Sequence, residues 1–306
     1  MFKEYFKYYK SRKPPPSLKD VMDFEDIPKW YLSFKVKEIS GSLGVSDRLN
    51  NGLKDPNTWK IYELIDHPGL IFIENPFTAL GQRYWTVRCL RDFPFPPNKT
   101  NLKEKFDLKV YDQLELKLRW TTLGYHHNWD TKVYSEDDKS EFPEDLAGLS
   151  EIIAKKLGYN KFKPEAAIVN YYYFNSTLSG HTDHSEQNLE APLFSFSFGQ
   201  SAIFLIGTES FDDKPTPILL RSGDIVIMTK TSHLSYHGVP KILEDKGYPK
   251  WGDVDSTEDF DDYNNVLGTC FDGNLWMPYE KFLRNSRINM NVRQVLNDTQ
   301  QSLSPG

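Results

Sequence analysis

The sequence has only two cysteines, Cys89 and Cys270, far apart and in no metal-ligand spacing. That excludes a disulfide scaffold and a cysteine-built zinc site. It fits a reducing, intracellular compartment, with the nucleus, the mitochondrion and the cytoplasm as candidates. No stretch approaches the ~18 consecutive apolar residues of a membrane span, so no membrane partner is expected. Internal repeats are absent, and so is a convincing Ser/His/Asp set for nucleophilic catalysis. Net positive charge is lacking too: 37 Lys and Arg stand against 43 Asp and Glu, a formal charge of −6. Yet Asp253, Asp255, Glu258, Asp259, Asp261 and Asp262 crowd one short segment, and setting those six aside leaves the rest neutral. Local charge governs contact with phosphate, so nucleic acid stays permitted as a partner. The 306 residues, 39% of them hydrophobic, suffice for one large domain or two small ones.

What is present begins with a basic, aromatic start, Met1 to Pro16, carrying Lys3, Lys7, Lys10, Arg12 and Lys13 ahead of three prolines. It reads as a short docking helix with a proline stop, or as a targeting segment. Gly69–Ile73 reads as a strand, Pro76 opens a helical run to about Leu90, and Asn98–Lys109 reads as a solvated, lysine-rich loop. Leu149, Ile152, Ile153 and Leu157 keep helical spacing, with Gly158 as the cap. From Ala166 the texture changes to short β-rich runs: Ala166–Phe174, Leu193–Phe198, Ala202–Ile206, Thr216–Leu220, Asp224–Met228 and Arg287–Val295. Such spacing predicts a sandwich or barrel of jelly-roll type preceded by helices, an α+β chain. Glu244–Asn265 reads as a charged, mobile insertion.

His181-Thr182-Asp183 is a His-x-Asp pair, and His237 follows after another predicted strand. In extended chain, residues two apart project to one side, so imidazole and carboxylate can meet one ion. Two histidines and one carboxylate with open positions opposite form the ligand set of non-haem Fe(II) oxygenases. On its own, His-x-Asp is a weak signal, and the spacing alone favours a polar loop. The strand near the C-terminus adds weight. Arg287, Asn289, Asn291 and Arg293 alternate with Ile288, Met290 and Val292, giving one polar and one apolar face. That is either a wet edge strand or a guanidinium grip for a dicarboxylate. Asn170 and Tyr172 offer a matching polar face on the strand before the His-x-Asp pair.

The order Asn170-x-Tyr172, His181-x-Asp183, His237, Arg287-x-Asn289-x₃-Arg293 resembles the AlkB-type Fe(II)- and 2-oxoglutarate-dependent dioxygenases. The phrases STLSGHTDHSE, SFSFGQSAIFLIG, SGDIVIM and RINMNVRQVL carry the same resemblance, which extends from about Pro68 to Leu296. It implies a double-stranded β-helix core with a nucleotide-recognition lid upstream. The chain then divides into a basic, helical extension (1–67), helices and lid (68–165), a dioxygenase core (166–296, with the acidic insertion at 244–265) and a tail (297–306). The resemblance implies that His181, Asp183 and His237 bind Fe(II), and that Asn170, Tyr172, Arg287, Asn289 and Arg293 bind 2-oxoglutarate. With O2, a methyl group on a base would be hydroxylated, and an N-hydroxymethyl product would shed formaldehyde. His184 departs from the family pattern, where an arginine is expected.

Trp120 and the run Gly124-Tyr125-His126-His127-Asn128-Trp129 make a dense aromatic and imidazole patch. Core packing around a turn and a platform for an unpaired base are both open. The family's use of this segment points to Trp120, Tyr125, His126 and His127 as substrate contacts. His67 and His233 read as structural. The expected activity is demethylation of bases in tRNA or DNA, with unpaired, bulged or loop bases preferred. An oxygenase acting on a protein side chain and a non-catalytic nucleic-acid-binding module remain the competing readings.

Overall fold

The computed structural model describes residues 1–27, 36–39, 52–102, 118–245 and 251–303. Helix α1 (Phe2–Lys10) is followed by strands β1 (Val36–Glu38), β2 (Lys60–Leu64) and β3 (Leu70–Glu74), then helix α2 (Ala79–Val87). Strands β4 (Lys99–Thr100) and β5 (Trp120–Gly124) precede helix α3 (Glu144–Lys156). The chain continues through β6 (Ala166–Tyr173), β7 (Leu178–His181), β8 (Leu193–Gly199), β9 (Ser201–Ile206), β10 (Thr216–Leu220), β11 (Ile225–Met228) and β12 (His237–Leu243). Helices α4 (Leu267–Phe271) and α5 (Gly273–Asn285) lead into β13 (Ser286–Arg293).

The strands form two antiparallel sheets. The larger runs β1-β2-β3-β11-β8-β13-β6-β5-β4, and the smaller runs β10-β9-β12-β7. Face to face they make a jelly roll, with strand alternation deciding which side chains go where. On β6, Ala167, Val169 and Tyr171 enter the core under the helices, while Ile168, Asn170 and Tyr172 face the cavity between the sheets. β13 repeats the pattern, with Ile288, Met290 and Val292 in that core and Arg287, Asn289, Asn291 and Arg293 lining the cavity. The helical layer contributes Trp85, Leu149, Ile153 and Phe282 to the same core. A second core, including Phe72, Phe204, Ile206, Ile218 and Val226, closes the sandwich beside the cavity.

Local signals explain the helix ends. Thr78 Oγ1 accepts from Gly81 N at 3.0 Å to cap α2, which therefore starts at Ala79 rather than Pro76. Gly158 takes φ +89 just past α3, a conformation glycine adopts without steric cost. Asp272 caps α5 by accepting from Asn274 N and Leu275 N. Helix α1 docks as the docking-helix reading expects: Phe2 and Tyr9 pack on Ile203 and Leu205 of the smaller sheet.

Three features add to the sequence reading. The described part of the acidic insertion packs on the helical core, because apolar residues are threaded among its acids. Trp251 is buried, Val254 and Phe260 pack on the helical core, and Phe260 meets Tyr84 at 4.5 Å. Arg83 pins the segment by donating to the Trp251 carbonyl at 2.8 Å and to that of Gly252. Second, the region after Ala166 is not purely β, since α4 and α5 interrupt it. Third, strands from both sides of residue 67 join the larger sheet, so the first part of the chain is more than a helical extension. Of the lysine-rich stretch, Lys99–Thr100 pairs with β5, and residues 103–109 lie outside the described residues.

Candidate active site

His181 is the last residue of β7 and His237 the first of β12, and the two strands pair with these residues in register. Cross-strand pairing therefore sets the imidazoles side by side, ring centroids 4.3 Å apart. Asp183 lies two residues beyond β7, buried, with Oδ2 3.5 Å from His237 Nε2 and Oδ1 3.9 Å from His181 Nε2. One ligand atom from each residue can be chosen so that all lie within 4.8 Å of one another. Backbone carbonyls orient both rings. His181 Nδ1 is 2.9 Å from Ser179 O, and His237 Nδ1 is 3.1 Å from Ser235 O. With the Nδ1 protons donated there, each Nε2 lone pair is free for an ion.

Electrostatics favour the metal-ready forms. Burial and the neighbouring His237 push the His181 pKa down to about 4, so its ring is neutral at physiological pH. Burial alone would raise the Asp183 pKa, but the Arg293 guanidinium and the two imidazoles hold it well below the usual carboxylate range.

The triad opens on a cavity of about 660 Å³ between the sheets. Asn170, Tyr172, Arg287, Asn289 and Arg293 all line it. The two arginines are unlike each other. Arg293 Nη2 donates to Asp183 Oδ1 at 3.0 Å and Nη1 to Glu186 Oε1 at 2.8 Å. Arg287 is buried, and among the described residues no carboxylate forms an ion pair with it. Its Nη2 donates to Ser197 Oγ at 2.6 Å and Nη1 to Gln200 O at 3.3 Å, while Nε is unpartnered. Burial without a counter-ion pulls its pKa down to about 10. A buried guanidinium in that condition fits a carboxylate of a bound dianion. Asn289 is held by Ser195 Oγ at 2.8 Å and in turn accepts from Asn291. The donor set thus fits Fe(II), and the cationic, amide-lined wall fits a 2-oxo dicarboxylate.

At the rim, His127, Trp129 and Lys132 line the cavity mouth, and Trp120 lies in an adjoining groove that shares Trp129, Asn170 and Tyr172 with it. Trp120 and Trp129 stand 5.1 Å apart by ring centroids. Tyr125 and His126 are not among the residues that line the cavity. Gly124, at φ +67, turns the chain out of β5. Tyr125 is thereby buried with Tyr134, Val295 and Leu296, its hydroxyl donating to Glu136 at 2.7 Å. His126 is buried against Thr122 Oγ1 at 2.8 Å. His67 and His233 have structural contacts as expected, with Thr216 Oγ1 at 2.7 Å and Ala191 O at 3.1 Å. Sequence reasoning missed Glu186, Ser195 and Ser197, and it named Trp129 in the aromatic patch without choosing it as a contact. The alternation of Ser195 and Ser197 with Phe194, Phe196 and Phe198 was a legible signal for a polar inner face.

Residues 69–293 match the 2OG-Fe(II) oxygenase superfamily. The chain belongs to that superfamily, in its AlkB branch. It is 37% identical over 328 aligned residues to the mouse protein named nucleic acid dioxygenase ALKBH1, covering 96% of this chain and 84% of the relative. The fission yeast Schizosaccharomyces pombe protein named tRNA demethylase abh1 is 40% identical, covering 77% and 82%. The solved structure of OsALKBH1 shares the fold, with a TM-score of 0.53 at 21% identity over 74% of this chain and 97% of that one. This AlkB-type oxygenase is therefore an enzyme that uses Fe(II), 2-oxoglutarate and O2. When bound, they supply oxidation of a substrate C–H bond coupled to conversion of 2-oxoglutarate to succinate and CO2. No helix among the described residues is long and apolar enough to cross a membrane.

Proposed function

We propose that this oxygenase demethylates bases in nucleic acid, with tRNA and unpaired or bulged DNA as substrates. In this reading His181, Asp183 and His237 hold the iron. Arg287 grips the far carboxylate of 2-oxoglutarate, and Asn170, Tyr172, Asn289 and Arg293 complete its site. The base enters past Trp120, His127 and Trp129, the segment that serves as the nucleotide-recognition lid. Tyr125 and His126 support that lid from behind.

The observation that carries the reading is the position of the aromatic rim. The Trp129 indole and the His127 imidazole line the cavity that contains the triad, and the Trp120 indole stands beside Trp129 in the adjoining groove. Flat π faces with hydrogen-bonding edges suit a base withdrawn from its stack. The names of the mouse and fission yeast relatives, nucleic acid dioxygenase and tRNA demethylase, support the same substrate class. The chain's own part in turnover is placement and exclusion of water, since the oxidising chemistry belongs to the cofactors. Cys89 and Cys270 are buried free thiols, which supports a reducing intracellular compartment.

The test is succinate and formaldehyde release with methylated tRNA, single-stranded DNA, bulged DNA and matched duplex, alongside a methylated peptide. Formaldehyde in step with succinate on the unpaired nucleic acids is the expected result. Faster turnover of the peptide would assign the chemistry to a protein side chain instead.

A further inference from the structure

Behind the triad lies a second buried acid that the metal and co-substrate sites do not use. Glu186 comes three residues after Asp183 and is 4% exposed. Its Oε1 accepts from Arg293 Nη1 at 2.8 Å and from the Tyr134 hydroxyl at 3.3 Å. Its Oε2 has no hydrogen-bond partner and points at His233 Nε2, 3.9 Å away and equally unpartnered. His233 is 2% exposed, four residues before His237, and anchored through Nδ1 to the Ala191 carbonyl. A line of side chains, His233, Glu186, Arg293 and Asp183, thus ties the β7–β8 loop, the β11–β12 loop and β13 together. Asp183 sits on the first of these, and the second leads directly into His237 at the start of β12, so the line lies beside two members of the triad.

The charges explain why the second acid matters. Arg293 places a full positive charge 3.0 Å from Asp183 Oδ1, and a metal cation must share the same carboxylate. Alone, that guanidinium would compete with the ion for Asp183. Glu186 draws on the opposite amino group and offsets the guanidinium charge, so Asp183 can serve both. It also fixes the plane of the guanidinium, and through it the direction of the carboxylate.

We propose that Glu186, braced by His233, is a positioning residue for the Asp183 side of the metal site. The inference rests on reading His181, Asp183 and His237 as ligands. Groups that orient metal ligands commonly contribute ten- to hundredfold to metal affinity.

The experiment measures Mn(II) binding by electron paramagnetic resonance, with circular dichroism as the check on folding. Glu186→Gln keeps the volume and removes the charge. Its Mn(II) dissociation constant should rise roughly ten- to hundredfold, and raising iron should recover part of the lost turnover. Glu186→Asp, which restores the charge, should recover part of the affinity. A folded Glu186→Gln protein that binds Mn(II) as tightly as the parent overturns the proposal. Should that variant fail to fold, His233→Asn is read instead. It releases the brace from the other side and should weaken Mn(II) binding several-fold, and unchanged binding overturns the proposal in that case too. Asp183→Ala is the reference: its loss of Mn(II) supports the ligand assignment, and retention overturns both readings together.

Discussion

Asp183 accepts from Arg293 through Oδ1 and turns Oδ2 toward His237 Nε2, the side on which an ion would sit. Removing it leaves the two imidazoles without the anion that makes the site tridentate. Asp183→Ala and His237→Ala should each abolish turnover and drop iron stoichiometry toward zero in an anaerobic titration; full occupancy in either would refute the ligand set. Arg287 is a separate matter, since it has hydrogen bonds but no counter-ion. Arg287→Ala should weaken 2-oxoglutarate binding by about 2–5 kcal/mol. Arg287→Lys should recover little of that, because a point charge lacks the planar fork. If calorimetry shows unchanged 2-oxoglutarate affinity while the melting temperature falls, the arginine serves the fold alone. His127 gives a pH signature. Burial and the nearby Arg293 push its pKa down to about 4, below the 6.5 of a free imidazole. The unfolded chain therefore takes the proton first, and stability is lost as pH falls from about 6.5 toward 4. His127→Phe should flatten urea-unfolding free energies between pH 7 and 5 by about 1 kcal/mol, a figure discounted for partial solvent screening. An unchanged pH slope would show that other groups carry the acid sensitivity. The candidate triad was legible in the sequence because metal chemistry demands those residue types in that order. Glu186 was not, because one more acid in a polar loop has no pattern until Arg293 folds against it. The burial of Tyr125 and His126 was not legible either, because it follows from the turn at Gly124.

Strands became legible in proportion to how strictly they alternate. From Arg287 onward β13 keeps polar and apolar residues in strict alternation, and the structure places every second side chain in the cavity. β7 (LSGH) and β12 (HGVPKIL) carry glycine, proline and histidine, which mask any period, yet they hold the two imidazoles of the candidate triad. Their strand character comes from tertiary pairing across the smaller sheet rather than from local preference. β5 was hidden for another reason: its Thr121 and Thr122 are buried polar residues in an apolar setting. Helix α5 opens on glycine and contains Pro278, signals that argue against a helix, yet Asp272 caps it and Trp276, Tyr279 and Phe282 bury one face. Helix α1 has a consequence for the site. The Phe2 ring fills the space beside Gly180, where an added Cβ would lie 2.6 Å from it, and Gly180 adjoins His181. Phe2→Ala should therefore cost about 3 kcal/mol of stability and also weaken metal binding by loosening the end of β7. Chemical denaturation together with Mn(II) titration checks both, and a stability loss with full metal affinity would confine α1 to a role in packing.

At the scale of the whole molecule the layers separate charge as well as polarity. The cavity opens between the sheets, whereas the acid-rich segment packs against α2 on the helical side of the larger sheet. There Glu258 accepts from Thr78 Oγ1 at 2.7 Å, and Arg83 holds the Trp251 carbonyl. The jelly roll was readable from the spacing of its short strands, but this placement was not, because it depends on where Trp251 and Phe260 find apolar partners. Its consequence is physical. At ~0.1 M salt the field of an exposed charge fades over ~10 Å, so acids on the far layer act weakly on a strand entering at the rim. Lys132, with Nζ 5.8 Å from the Trp129 ring centroid, and the exposed Arg119 over Tyr173 stand where that strand would pass. Binding of a methylated, unpaired RNA loop should therefore weaken steeply with salt despite the chain's net charge of −6. Lys132→Ala should lower the slope of log affinity against log salt by about one. Replacing Asp253, Asp255 and Asp259 with Asn should change the slope by much less, although it alters three charges rather than one. Fluorescence anisotropy across a salt series measures all three proteins. A larger change in slope for the triple Asn variant than for Lys132→Ala would mean that the nucleic acid runs over the helical face, and the cavity mouth would lose its claim to be the entrance.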